Sequence, residues 1–176
     1  MIVLAFSGGL DTSFCVPYLR ETTGEDVVTV TVNTGGFSEE QLREVEQRSR
    51  ELGAVRHVTV DARADLWKET LQYLVKGNVL RGGVYPLCVG PERVTQARKV
   101  VEVAREVGAN TIAHGSTGAG NDQVRFDVAV RILGGGLKVL APIRELALSR
   151  NATADYLEAR GFAVNREKAA YSINRG

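Results

Sequence analysis

The chain has 176 residues, of which 44% are hydrophobic and 24% are charged. This is the size and composition of one globular domain with a buried core. Its net charge of +1 excludes a broad electrostatic attraction to nucleic acid or to an anionic membrane. No apolar segment reaches the length of a membrane span or of a signal-peptide core, so we expect a cytoplasmic protein.

Strand-like and helix-like segments alternate along the chain. Short apolar or β-branched segments predict five strands, over residues 2–6, 27–32, 55–60, 110–113 and 137–141. The remaining segments predict helices over residues 12–21, 38–53, 61–77, 91–107, 123–133 and 149–161. The alternation predicts an α/β fold with a parallel five-stranded sheet and helices on both faces.

Local signals support individual helices. Ser38 begins a capping-box pattern, and Gly53 fits the residue after a helix. Pro17 is expected about one turn into the first helix, where its missing N–H costs little. Helical spacing predicts one apolar face for the helix 91–107, formed by Val94, Ala97, Val101, Ala104 and Val107.

The cysteines and histidines do not suggest a metal site. Cys15 and Cys88 are far apart, as are His57 and His114, and neither pair has the spacing of zinc ligands. The cysteines are expected to be small buried hydrophobic residues in a reducing compartment.

A glycine-rich loop follows the first strand and leads into the first helix. Gly8 and Gly9 allow the backbone to approach a phosphate closely, and Ser7, Thr12 and Ser13 supply hydroxyl donors. The helix start offers free N–H groups and the positive end of its dipole. Asp11 would repel phosphate unless Mg²⁺ bridges the two. The alternative is that the glycines form a tight turn and Asp11 only caps the helix.

The order Ser-Gly-Gly-x-Asp-Thr of residues 7–12 lacks the features of a Walker A loop and of the GxGxxG fingerprint. It resembles the PP-loop of the N-type ATP pyrophosphatases. The resemblance implies that the loop holds the β,γ-pyrophosphate of ATP–Mg²⁺, and that ATP is cut between its α and β phosphates. Asp11 and Thr12 would be catalytic, with Asp11 holding Mg²⁺ through ATP. The implied ATP-binding residues are Ala5, Phe6, Ser7, Gly8, Gly9, Leu10, Asp11, Thr12 and Ser13.

A second glycine-rich loop follows the fourth predicted strand, within the sequence AHGSTGAGNDQVRF of residues 113–126. If the two strands are neighbours, both loops face one cleft. Together with Tyr-Pro-Leu at 85–87, Ala-Pro-Ile-Arg-Glu at 141–145 and Tyr-Ser-Ile at 171–173, this sequence resembles argininosuccinate synthase. The resemblance covers essentially all 176 residues.

The resemblance to argininosuccinate synthase implies a ligase of arginine biosynthesis that joins citrulline to aspartate. The citrulline ureido oxygen would attack the α phosphate of ATP, releasing pyrophosphate and forming citrullyl-AMP, and the aspartate amine would then displace AMP. Val32 and Gly115 would lie near the adenosine. Aspartate would be bound by Thr117, Asn121 and Asp122, and citrulline by Tyr85, Asn121, Arg125 and Ser172.

Four of these substrate-binding residues have a structural alternative. Asn121 and Asp122 could cap the helix that follows, Arg125 could be an exposed helix charge, and Tyr85 could be a packed aromatic residue. His114 is expected to be a hydrogen-bonded residue at a strand end rather than a general base.

The chain departs from the family pattern at Cys88-Val89, Ala119 and Asn174, which bears on citrulline binding more than on ATP binding. The family forms homotetramers through a C-terminal domain. We expect residues 1–176 to be a single ATP-binding domain without that C-terminal domain, and therefore to be weak or inactive alone.

Two other functions are open: a non-catalytic ATP-binding regulatory domain, and a PP-loop enzyme that adenylylates tRNA. The near-neutral charge and the poorly spaced cysteines argue against the latter.

Overall fold

A computed structural model describes residues 1–118 and 121–166. Its main sheet contains β1 (Ile2–Ala5), β2 (Val27–Asn33), β3 (Arg56–Asp61), β6 (Thr111–His114) and β7 (Lys138–Leu140). Within the described residues these five strands are all parallel, in the order β3-β2-β1-β6-β7. The predicted α/β fold with a parallel five-stranded sheet is confirmed.

Helices cover both faces of the sheet. On one face lie α1 (Leu10–Thr23), α2 (Glu39–Glu51), α7 (Pro142–Glu145) and α8 (Arg150–Glu158). On the other face lie α3 (Arg63–Leu66), α5 (Val89–Glu106) and α6 (Asn121–Gly134). The alternation of side chains along β1 explains the two layers, because Ile2 and Leu4 enter the first core and Val3 enters the second.

The first helix is longer than its sequence pattern predicts. It begins at Leu10 and keeps Pro17 in its interior, about two turns from its start. The expectation that Pro17 lies about one turn into the helix is therefore wrong. The helix tolerates the missing N–H because one side of this segment is buried in the core, with Phe14 and Leu19 almost inaccessible to solvent.

Two further elements differ from the predictions. The predicted helix 61–77 is divided into α3, a π-helical turn (Trp67–Leu71) and α4 (Gln72–Lys76). A small antiparallel pair, β4 (Leu80–Arg81) and β5 (Tyr85–Pro86), is an element that the sequence patterns did not predict.

The predicted apolar face of α5 is only partly correct. Ala97, Val101 and Ala104 are buried as expected, but Val94 is 47% exposed. Val100 is buried as well, so the face that packs on the sheet and on α6 is rotated slightly from the predicted one.

Helix ends agree well with the sequence signals. The Ser38 hydroxyl accepts a hydrogen bond from the Gln41 backbone N–H, and the Gln41 side chain accepts one from the Ser38 N–H, which confirms the capping box. Gly53 takes the left-handed conformation after α2, with φ of 90°. The Ser149 hydroxyl accepts from the Ala152 N–H at the start of α8.

His57 is partly buried on the edge strand β3, whereas His114 is fully buried. His57 Nδ1 lies 2.8 Å from the Thr29 hydroxyl, which also contacts the Ser49 hydroxyl at 2.6 Å. His114 ends β6 and is 2% exposed. Burial lowers the pKa of both imidazoles.

The two histidines therefore predict how stability depends on pH. An unfolded histidine has a pKa of about 6.5, so as the pH falls below this value the unfolded chain takes up protons before the folded one does. The free energy of unfolding should be unaffected above this range and should decrease between pH 6.5 and 5, by at most about 1.4 kcal/mol per pH unit for each histidine. Urea unfolding across this range measures the slope. A His57→Gln/His114→Asn double variant that kept the same slope would contradict the assignment.

Candidate functional site

The two glycine-rich loops open from neighbouring strands. β1 and β6 pair in parallel, and Ala5 lies opposite His114 at the last paired position. The strand order reverses here, since β2 and β3 lie on one side of β1 while β6 and β7 lie on the other. Such a reversal leaves a crevice at the carboxyl ends of the strands, where α/β proteins bind ligands. The prediction that both loops face one cleft required their strands to be neighbours, and β1 and β6 are neighbours.

The two glycines of the first loop have different structural roles. Gly8 has φ of 73°, and a Cβ there would lie 3.0 Å from Val45 Cγ2, so both the backbone conformation and the available space require glycine. Gly9 has the extended values φ −73° and ψ 172°. A Cβ on Gly9 would contact only the Ser7 hydroxyl, at 3.4 Å. Neither the backbone conformation nor a close neighbour therefore requires glycine at position 9.

The first turn of α1 has no side-chain cap. Gly9 is the N-cap residue and offers no side chain, and the first helical bond runs from the Ser13 N–H to the Gly9 carbonyl at 2.9 Å. The start of such a helix presents N–H groups and a partial positive charge. This arrangement suits an anion, as the sequence predicted.

Two hydroxyl groups stand beside this helix start with weak internal contacts. Ser7 Oγ and Thr12 Oγ1 are 3.3 Å apart, and the Thr12 hydroxyl donates to the Gly9 carbonyl at 3.2 Å. These distances exceed the usual 2.7–2.8 Å of a hydroxyl hydrogen bond. By contrast, Ser13 is buried, and its hydroxyl points to the Gly8 carbonyl at 3.5 Å. Ser7 and Thr12 are therefore better placed than Ser13 to give hydroxyl hydrogen bonds to a ligand.

The second loop rests directly on the start of α1. A Cβ on Gly115 would lie 3.0 Å from both Thr12 N and Thr12 Cγ2, and 3.1 Å from the Asp11 carbonyl carbon. A larger residue would push the loops apart, so Gly115 permits a backbone contact that holds them together.

Asp11 lies half-buried in the first turn of α1. Burial raises the pKa of its carboxyl, and the nearby positive charge of Arg150, the first residue of α8, partly offsets this rise. Arg150 is a charged neighbour that sequence reasoning missed, because 138 residues of chain lie between it and Asp11.

Several predicted nucleotide-binding residues place their side chains in the core instead of the cleft. Phe6 is 4% exposed and its ring meets the edge of His57 at 6.2 Å between centroids. Val32 is 8% exposed in the opposite core layer. The Phe6 carbonyl also accepts a hydrogen bond from the buried Thr31 hydroxyl at 2.7 Å. The Phe6 N–H also donates to the Val30 carbonyl at 2.8 Å, so both backbone polar groups of Phe6 are already paired within the protein.

The predicted substrate residues of the second loop lie where the loop enters α6. Thr117 is half-buried, and Asn121, the first residue of α6, is exposed. Asp122 follows in the same first turn. Gly118 is close to the side chain of Arg144 on α7, with a built Cβ 3.8 Å from Arg144 Cγ. α6 therefore brings Asn121 and Asp122 to the loop that contacts α1.

The remaining predicted substrate residues are less closely gathered. Arg125 is exposed on α6 and lies beside Gly90 at the start of α5, where a Cβ would be 3.5 Å from Arg125 Nε. It lines an open cavity of about 490 Å³ between α5, α6 and the π-helical turn. Tyr85 is 52% exposed on the separate β4–β5 pair. Ser172 lies outside the described residues, as do Ala119 and Asn174.

Two polar clusters near the cleft were not predicted. After β2, the Thr34 hydroxyl donates to the buried Glu92 carboxylate at 2.6 Å, and the Gln96 amide donates to the same oxygen at 3.0 Å. Beneath the second loop, His114 Nε2 faces Asp127 Oδ1 at 3.7 Å. His114 Nδ1 accepts a hydrogen bond from the Ser116 backbone N–H at 3.3 Å, which agrees with the predicted hydrogen-bonded role.

Two general features bear on the type of site. None of the described helices has the length and hydrophobicity needed to cross a membrane. Across residues 1–118 and 121–166, no group of three or more histidine, cysteine or acidic side chains could hold a metal ion by itself.

Comparison with known proteins identifies the family. Residues 1–163 match the model of the arginosuccinate synthase N-terminal HUP domain. The chain is 44% identical over 172 residues to argininosuccinate synthase of Methanocaldococcus jannaschii, covering 98% of this chain and 43% of the relative. It is 48% identical over 177 residues to that of Xanthomonas axonopodis pv. citri, covering 98% of this chain and 42% of the relative. The chain thus spans less than half the length of these relatives, and it belongs to the argininosuccinate synthase family through their N-terminal domain.

Proposed function

We propose that this domain binds ATP–Mg²⁺ and is the nucleotide-binding part of an argininosuccinate synthase. The observation that carries the proposal is the contact of Gly115 with Thr12, which sets the second loop against the uncapped start of α1. Free backbone N–H groups and the helix dipole would hold the β,γ-pyrophosphate of ATP. Ser7 and Thr12 would add hydroxyl donors.

The donor set around Asp11 fits Mg²⁺ that arrives with ATP. One half-buried carboxylate lies beside the proposed phosphate site, and Mg²⁺ commonly combines one or two carboxylates with phosphate oxygens and water. When bound, Mg²⁺ would neutralise charge on the leaving pyrophosphate.

The proposed reaction needs no side-chain nucleophile. The ureido oxygen of citrulline would form a bond to the α phosphorus while the bond to the bridging oxygen breaks, which releases pyrophosphate and gives citrullyl-AMP. The aspartate amine would then attack the ureido carbon, and AMP would leave. The protein contributes positioning and charge stabilisation. Thr117, Asn121 and Asp122 are proposed for aspartate, and Asn121, Arg125, Tyr85 and Ser172 for citrulline.

The exposure of these residues bears on whether the domain could work alone. Asn121, Arg125 and Tyr85 are exposed, whereas small-molecule sites usually bury most of the ligand surface. We infer that the region which the relatives carry beyond the match would complete the substrate site. The 176-residue chain would then bind ATP without efficient ligation.

Gly9→Val tests the phosphate site without straining the backbone. Valine favours the extended conformation of position 9, so the thermal unfolding midpoint should stay close to that of the parent. The branched side chain should obstruct the anion and weaken MgATP binding by at least about tenfold, or roughly 1.4 kcal/mol. Calorimetric titration measures this, and Gly9→Ala should fall in between. Undiminished affinity in a folded Gly9→Val protein would refute the phosphate site.

Asp11→Asn tests the proposed metal contact. With excess Mg²⁺ the variant should bind ATP less tightly than the parent, because a neutral amide is a poorer ligand for this ion. In EDTA it should bind ATP as well as the parent or better, because a negative charge near phosphate is gone. Asp26→Asn, an exposed aspartate before β2, is the matched control. Equal losses with and without Mg²⁺ would contradict the metal role.

A turnover assay tests the inference about the completed site. The 176-residue chain should bind MgATP, yet form AMP in the presence of citrulline and aspartate far more slowly than a full-length relative assayed alongside. Calorimetry with citrulline and aspartate distinguishes a substrate-binding domain from a regulatory domain, which should bind ATP and ignore both amino acids. AMP formation at a full-length rate would refute the inference.

A further inference from the structure

The hydrogen bond between His114 and the second loop favours one of the two positions of the imidazole proton. Nδ1 accepts from the Ser116 backbone N–H at 3.3 Å, and a ring nitrogen that accepts a hydrogen bond carries no proton. In the neutral imidazole the proton must then be on Nε2. His114 is 2% exposed, so water does not compete for either nitrogen.

The other side of the ring is aimed at a carboxylate. His114 Nε2 lies 3.7 Å from Asp127 Oδ1, and both atoms are buried with no hydrogen-bond partner among the described residues. The other oxygen of Asp127 lies 3.3 Å from Arg131 Nε and 3.8 Å from Arg144 Nη2. A buried carboxylate opposite Nε2 favours the tautomer whose N–H points toward it.

The charged groups around the ring come from α6 and α7. Asp127 on α6 and Glu145 on α7 favour the charged imidazolium, whereas Arg144 disfavours it, and burial is the largest influence. The outcome is a lowered pKa, so the ring is neutral at pH 7 and keeps Nδ1 free to accept.

Ser116 connects this ring to both parts of the proposed site. On one side of it Gly115 lies against Thr12, and on the other side Thr117 is a proposed aspartate ligand. The His114 ring packs in a T-shaped arrangement against Phe126, with 5.5 Å between the ring centroids. A hydrogen bond to this fixed ring therefore restricts the backbone of Ser116.

We propose that His114 is a positioning residue, whose Nε2–H tautomer, selected by Asp127, fixes the second loop against the start of α1 through Ser116. It touches neither substrate nor the reacting atoms. The effect on ligand binding rests on the proposed function, whereas the tautomer and the loop contact do not.

The tautomer can be read directly by nitrogen-15 NMR of the imidazoles in the intact 176-residue chain. The chain has two histidines, so a His57→Gln variant assigns both sets of signals. His114 should be neutral at pH 7 with its proton on Nε2, and Asp127→Asn should shift or mix its tautomers while Asp26→Asn should not. A His114 that carries its proton on Nδ1, or that is unaffected by Asp127→Asn, would overturn the proposal.

His114→Asn and His114→Gln distinguish the loss of the hydrogen bond to Ser116 from the loss of packing by the ring. Asn at 114 can place its side-chain oxygen near the position of Nδ1, whereas Gln places its amide nearer Nε2 and leaves the Ser116 N–H without an acceptor. Both lose the ring against Phe126, so the two thermal unfolding midpoints should drop similarly. Only His114→Gln should accelerate hydrogen exchange of the Ser116 amide.

The same pair of variants tests the link to ligand binding. His114→Gln should weaken MgATP binding by about three- to tenfold, the effect of one lost hydrogen bond, while His114→Asn should stay within about twofold of the parent. Equal exchange rates in the two variants would overturn the positioning role, whether or not ATP binds. If hydrogen exchange of the Ser116 amide differs between the two variants but MgATP affinity does not, the positioning role stands and only its link to the proposed function is refuted.

Discussion

The close approach of Gly115 to the first turn of α1 is the contact on which the cleft depends. β1 and β6 are neighbours in the sheet, so their loops begin only one strand spacing apart. With a side chain at position 115, the backbone of Thr12 and the second loop could not both keep their places. Two segments separated by about a hundred residues therefore form one rim, and the rim surrounds the open end of a helix.

The chemical character of the rim follows from its polar groups that make few or only long hydrogen bonds within the protein. Gly9 gives α1 no side-chain cap, and the hydroxyl groups of Ser7 and Thr12 make only long contacts with each other. Replacing Gly9 by a serine or aspartate cap would stabilise the helix by only a few tenths of a kcal/mol. The uncapped start leaves the first N–H groups of α1 available to an anionic ligand.

The two loops are supported from below in different ways. The first loop is shaped by Gly8, whose left-handed backbone fits tightly over Val45 of α2. The second loop is held by a buried imidazole and by the proximity of Gly118 to Arg144. α1 and α2 cover one face of the sheet and α6 the other, while the short helix α7 carries Arg144 beside the second loop. The cleft is therefore braced by both layers of the fold, although the proposed substrate residues Tyr85 and Arg125 remain exposed.

The sequence alone determined the sheet, most helix positions and the two loops. The spacing of apolar residues, the capping residues and the glycines act on the chain locally, so their effects can be predicted from sequence. Such prediction failed at Pro17 and Val94, where burial in the core and the rotation of a packed helix outweighed local preference. Only the tertiary structure decided that the two loops touch and that the side chains of Phe6 and Val32 lie in the core. It also decided that Arg150 lies near Asp11 and that Asp127 lies near His114. Those contacts join residues far apart in the chain, and strand order and helix packing fix their distances, which no local pattern encodes.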